Sequence, residues 1–98
     1  MPSKKSMGRA FRMARHAAGM SQDDFTAVSS RTFVSSIERG LKSPTIEKLS
    51  QLSRAMNTAP AVVVLVASAL EARSNVEFLN GLVGETMHIL DLERERSK

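Results

Sequence analysis

The sequence has no cysteine, no tryptophan and no tyrosine, and four phenylalanines are its only aromatic side chains. Without cysteine there can be no disulfide and no thiolate metal site. With so few rings the core must come from Ala, Leu, Val, Ile and Met, a palette suited to helices packed on helices. His16 and His88 stand alone, with no cluster at metal-ligand spacing, so no metal is expected. Glycine-rich phosphate loops are missing, and no Ser-His-Asp set can be assembled around a plausible pocket. Neither an enzyme nor a cofactor or small-molecule site is therefore expected, and the six methionines read as core filler. Long hydrophobic runs are absent too. The most apolar stretch, Ala59 to Leu70, has 12 residues, well short of the ~20 that a membrane span needs. Met1 to Lys5 are basic, but no apolar run follows them as it would in a secretory signal. The expectation is a soluble cytoplasmic protein that does not enter membranes.

What is present is unevenly distributed. Residues 1–54 hold ten Lys/Arg against four Asp/Glu, a balance of +6, while residues 55–98 hold four against six, a balance of −2. A basic front half suits a polyanion partner, and the mildly acidic back half then has another task. Ninety-eight residues make one domain, or one small domain with an extension. A chain this short buries a modest share of its surface, so association is a natural source of added stability.

Helical punctuation runs along the whole chain, and nowhere does alternation persist long enough for a strand. Pro2 to Met7 reads as a loose basic arm. From Gly8 the residues Phe11, Ala14, Arg15 and Ala18 fall at helical spacing, closed by Gly19. Ser21, with Asp23 and Asp24 in the next turn, opens a short helix over about 22–28. Ser29 and Ser30 can cap a third helix over about 31–39, ended by Gly40. Thr45 caps a fourth, with Ile46, Leu49, Leu52, Ser53 and Met56 on one face. Thr58 and Pro60 start a fifth, running to about Arg73. A sixth is expected from Asn75 to Glu93.

Three fragments in this order carry a resemblance: Gly19-Met20-Ser21-Gln22, Ile37-Glu38-Arg39-Gly40 and Ser43-Pro44-Thr45. Together they resemble the Cro/repressor-type helix-turn-helix family, also called the xenobiotic-response-element family, over about residues 8–67. The resemblance implies an all-α, five-helix repressor-type helix-turn-helix domain, here with an additional C-terminal helix. It implies binding of a double-stranded, palindromic DNA operator by a homodimer that regulates transcription as a repressor, of the kind found in bacteria and phages. The helix over 31–39 would enter the major groove, which is ~12 Å wide and reads out through the N-terminal residues of such a helix. Arg31, Thr32, Phe33, Ser35 and Ser36 are the candidate base contacts. Arg31 can give two hydrogen bonds to guanine, or it is a plain surface or phosphate-contacting charge. Phe33 can meet thymine methyls, or it belongs to the core. By resemblance Gln22 bonds a phosphate with help from nearby main-chain N–H groups, and Lys42, Ser43 and Thr45 meet the other wall of the groove. Lys4 and Lys5 either add salt-dependent affinity or form a solvated tail. Arg15 and Glu38 match a structural ion pair of the family that locks the first helix to the recognition helix. The sequence departs from the family between Phe25 and Phe33, where about two residues are missing, a small residue and a turn glycine among them. Either the turn is tighter or the second helix is shorter.

The back end needs a purpose of its own. Ala61 to Ala67 is apolar around the entire helix, and Val76, Leu79, Val83, Met87 and Leu90 form a stripe at helical spacing. Such a surplus points to a dimer interface built from Val63, Val66 and that stripe, with residues 68–98 as the dimerising extension; alternatively the last helix covers the chain's own core. Gly81 and Gly84 within it allow a kink or a close helix–helix approach. A DNA-binding antitoxin or accessory subunit, whose back end holds a different protein, is the alternative function.

Overall fold

The computed structural model describes residues 1–73 and 76–97. Five α-helices, α1 (Lys4–Ala17), α2 (Arg31–Glu38), α3 (Ile46–Ala55), α4 (Pro60–Ala72) and α5 (Val76–Arg96), are joined by one 3₁₀ turn over Gln22–Phe25. Among the described residues there is no strand, so the all-α architecture expected from the sequence is the one observed. Asn75, the expected start of the last helix, lies outside the described residues.

Side-chain caps set most of the boundaries. Ser30 Oγ accepts from the Phe33 N–H at 3.1 Å and starts α2, and Thr45 Oγ1 accepts from the Lys48 N–H at 3.1 Å and starts α3. Pro60 sits in the first turn of α4, where its missing N–H costs nothing. Gly19 (φ 69°) and Gly40 (φ 75°) close α1 and α2 in the left-handed region that a Cβ disfavours.

Two boundaries differ from the sequence reading. The arm expected over residues 1–7 is mostly the first turn of α1. Ser3 Oγ caps it by accepting from the Ser6 N–H at 3.1 Å, and the Ser3 N–H donates to the Glu71 carboxylate on α4. That tie spans 68 positions of sequence and is invisible to local pattern. The second helix, expected over about 22–28, is a 3₁₀ turn of four residues. The missing residues of the turn region are thus taken out of the helix.

The core is Phe11, Phe25, Val34, Ile37, Leu52 and Val63, each essentially inaccessible. Phe11 and Phe25 lie 5.5 Å apart between ring centroids at a 45° tilt, a favourable aromatic geometry. α1 packs mainly against α4 and α2. Gly8 permits the second of these contacts: a Cβ there would stand 2.3 Å from the Ile37 carbonyl oxygen and 2.9 Å from that of Glu38. α3 and α4 meet at a bend of 103°, and no single helix among the described residues is long and apolar enough to cross a membrane.

Val63, expected at a dimer interface, belongs to this core and is 0% exposed. A helix apolar all round gives no sign of which face turns inward, and here Val63 and Ala67 do. Val66 is half-buried against the same core. α5 packs chiefly on α4, and every described residue from Val83 onward is exposed. The molecule is correspondingly long, 48 Å by 30 Å by 23 Å.

Candidate nucleic-acid interface

An eight-residue helix has little surface to divide, and α2 divides it sharply. Val34, Ser36, Ile37 and Glu38 are buried, Phe33 and Ser35 half-buried, and Arg31 and Thr32 exposed at the N-terminal end. Ser36, expected to touch bases, is turned inward. Its Oγ donates to the Thr32 carbonyl at 2.9 Å, which uses the hydroxyl's one proton, and the residue is only 6% exposed. Phe33 packs partly against the core, and the Lys42 ammonium stands 5.8 Å from its ring centroid, within cation–π range. Arg31 Nε lies 3.6 Å from Asp23 Oδ1 on the 3₁₀ turn. Both side chains are largely exposed, so the pair adds little to stability. It leaves the two terminal nitrogens of Arg31 without an acceptor among the described residues.

Beyond α2 the chain returns through a tight loop in which the Leu41 and Lys42 N–H groups both donate to the Ser36 carbonyl, at 2.9 and 3.3 Å. Lys42, Ser43 and Thr45 are exposed there, although the Thr45 hydroxyl already serves as the α3 cap. The sequence assigns no role to Lys48, and to Arg39 only a place in the Ile37–Gly40 fragment. Lys48 Nζ donates to the Val28 carbonyl at 2.8 Å and ties α3 to the segment before α2. Arg39 is exposed beside α2, its Nε 3.4 Å from the Ser35 carbonyl.

Besides the core contacts of Val34 and Ile37, one buried carboxylate ties α2 to its neighbours. Arg15 donates through Nε to Glu38 Oε2 at 2.7 Å and through Nη2 to Oε1 at 2.9 Å, a two-pronged contact that suits the planar guanidinium. Arg15 Nη1 also reaches the Met20 carbonyl at 2.9 Å. Oε1 further accepts from Gln22 Nε2 at 3.2 Å and from Arg12 Nε at 3.3 Å. The structure therefore brings Arg15 and Glu38 together and adds Gln22 and Arg12 to them. Arg12 carries a readable signal in retrospect, since it lies three residues before Arg15 and so on the same helical face. Burial pushes the Glu38 carboxyl up, but the bonds from Arg15 and Gln22, the charge of Arg15 and the bond from Arg12 outweigh it. Its pKa ends below the usual carboxylate value. The bond to Glu38 raises Arg15 in turn, against the opposing effect of burial.

Of the residues expected at an interface between chains, Val76, Val83, Met87 and Leu90 are each more than half exposed. Leu79 and Val83 join Met13, Val62 and Val66 in lining an open apolar groove between α1, α4 and α5. Among the described residues no group of three or more His, Cys, Asp or Glu side chains could hold a metal.

The helix-turn-helix family model matches residues 11–63. Among solved structures, the crystal structure of the clp gene regulator ClgR from Corynebacterium glutamicum is similar, with a TM-score of 0.66 and 22% identity over 92% of each chain. At that identity the likeness is one of fold. No curated protein matches the chain.

Proposed function

This chain belongs to the helix-turn-helix family, and from that membership we propose that it binds double-stranded DNA sequence-specifically, with α2 in the major groove, and regulates transcription. The carrying observation is the contrast within α2. Its inner face is fixed to α1 through the buried Glu38, while Arg31 and Thr32 are exposed at the end that would enter the groove. Arg31 is the base reader in this reading, donating through its terminal nitrogens to guanine O6 and N7. Lys42, placed over Phe33, and the neighbouring Ser43 and Thr45 contact the backbone and set the register. Selection of bound sequences from a random duplex pool tests the reading. Arg31→Ala should then lose about 1–3 kcal/mol on the selected site alone, and Lys42→Ala should weaken all duplexes alike. Equal losses by Arg31→Ala on selected and random DNA would remove it as a base reader.

The protein acts in this reading as a homodimer, repressing by occupying a palindromic operator. Half-sites one turn apart, ~34–36 Å, need two linked recognition helices. The support is the apolar surface at Val83, Met87 and Leu90 together with the groove beside Val62 and Val66. Sedimentation at micromolar concentration should give twice 10.7 kDa. A monomer that copurifies with a different protein would favour the accessory-subunit reading instead.

A further inference from the structure

Residues 1–54 contain four carboxylates among ten cationic side chains, and three of the four have a task within the fold. Glu38 is the buried partner of Arg15. The Asp24 carboxylate accepts from the Ser21 N–H at 2.7 Å and closes the 3₁₀ turn. Glu47 sits in the first turn of α3, where the exposed N–H groups favour a negative charge. Asp23 differs. Its carboxylate has one partner among the described residues, Arg31 Nε at 3.6 Å, and its side chain is 64% exposed. A turn of four residues offers little dipole for it to complement. An exposed pair of this kind contributes little to stability. Folding therefore does not explain why an acid stands beside the exposed N-terminal residue of α2.

We infer, resting on the DNA-binding reading above, that Asp23 is a positioning residue that aims Arg31 at one base pair and makes its contact with guanine selective. Nε is the inner nitrogen of the guanidinium. With Nε engaged, the two terminal nitrogens point outward as a planar fork, the part that matches guanine O6 and N7. Side-chain freedom that an untethered Arg31 would lose on binding is partly lost beforehand. The same carboxylate acts against wrong sites. Facing another base, an untethered Arg31 could swing to a phosphate and recover affinity there. Tied to Asp23, it must first break the pair, and the carboxylate itself repels the phosphates. DNA closing over the pair lowers the local dielectric and strengthens both effects. The pair also spans the segment after Phe25 in which this chain is shorter than the family it resembles, so the arrangement belongs to this chain's own turn. The competing role for Asp23 is that of a base reader itself, accepting from cytosine N4.

The roles separate when the intact chain and its variants are titrated with three duplexes: the selected site, that site with the base pair read by Arg31 replaced, and random sequence. Asp23→Asn keeps the shape of the side chain and removes its charge. It should lower the ratio of selected to random affinity about tenfold, within the range of one bidentate base contact. The loss should be confined to the base pair that Arg31→Ala also relaxes. Affinity for random duplex should rise, since one repelling charge is gone, and the thermal midpoint should barely move. Asp23→Glu should recover part of the selectivity. In the Arg31→Ala background, Asp23→Asn should change base preference no further. A preference lost at a different base pair, adding to the effect of Arg31→Ala, would make Asp23 a reader and overturn the inference. An equal loss on every duplex, or a selectivity that does not change, would overturn it as well. If Arg31→Ala itself leaves base preference intact, the assignment of Arg31 as base reader fails, a result distinct from any given by the Asp23 variants alone.

Discussion

Replacing Glu38 with alanine takes one acceptor from four donor groups: Arg15 Nε and Nη2, Gln22 Nε2 and Arg12 Nε. Arg12 and Gln22 can turn to water. Arg15 cannot, because its side chain is 10% exposed and its sole remaining partner among the described residues is the Met20 carbonyl. A buried charge stripped of its partner costs about 3–5 kcal/mol, against a net stability of about 5–15 kcal/mol for a domain. At about 4–8 °C per kcal/mol for a chain of this size, the thermal midpoint should fall by roughly 12–40 °C. Circular-dichroism melts at neutral pH, with urea titration at 25 °C, would measure it. The double variant Arg15→Met/Glu38→Leu should recover much of the loss, since an apolar pair of similar volume needs no partner. The pH dependence has a fixed sign. Glu38 is lowered in the folded state, so the unfolded chain takes up that proton first as pH falls. Its contribution is complete above the unfolded carboxylate value of ~4.3 and is lost as pH drops towards the lower folded value. The gap in stability between the native chain and Glu38→Gln should accordingly narrow below about pH 4. A Glu38→Ala midpoint within two or three degrees of the native one would refute the reasoning, because it would mean that Arg15 finds water or another acceptor at no cost.

Gly8→Ala should destabilise by about 1–3 kcal/mol or more, because its Cβ would meet the Ile37 and Glu38 carbonyls at 2.3 and 2.9 Å; an unchanged melt would show that α1 can slide on α2. Gly81→Ala and Gly84→Ala should each stabilise the monomer by about 0.5–1 kcal/mol, since nothing lies within 4 Å of the added carbon in either case. A lower midpoint for either variant would reveal a second chain packed against that glycine. Lys48→Met should cost about 1–3 kcal/mol through the loss of a charged donor to the Val28 carbonyl, read as a lower urea midpoint with the slope unchanged.

The helices were legible in the sequence where single residues dictate backbone geometry. Ser30, Thr45 and Pro60 open helices, and Gly19 and Gly40 close them, by rules that operate within four residues. What escaped depended on partners distant in sequence or on a choice between equal faces. The first turn of α1 is fixed by Glu71, far along the chain. Val63 reads like its neighbours in a helix apolar on every side, and packing alone decides that it faces inward. Ser36 looks like a groove-facing hydroxyl, yet a hydroxyl can also close on the carbonyl one turn back, as it does on Thr32. The spacing of Arg15 and Glu38 was enough to suggest their pairing by resemblance. The roles of Arg12 and Gln22 at that junction, and of Lys48 at the Val28 carbonyl, required coordinates, because long flexible side chains reach many possible partners.

The contact at Gly8 has a further consequence for how such a protein can change. α1 abuts the carbonyl oxygens of Ile37 and Glu38, groups that every amino acid carries, and the lock below them uses Glu38 at the far end of α2. Arg31, Thr32 and Ser35 take part in neither. Their side chains can be exchanged almost without reference to the scaffold, so under the proposed function new target sequences are within reach of one or two substitutions that leave folding untouched. In that reading recognition is replaceable, because its support is built from atoms that mutation at those positions does not alter.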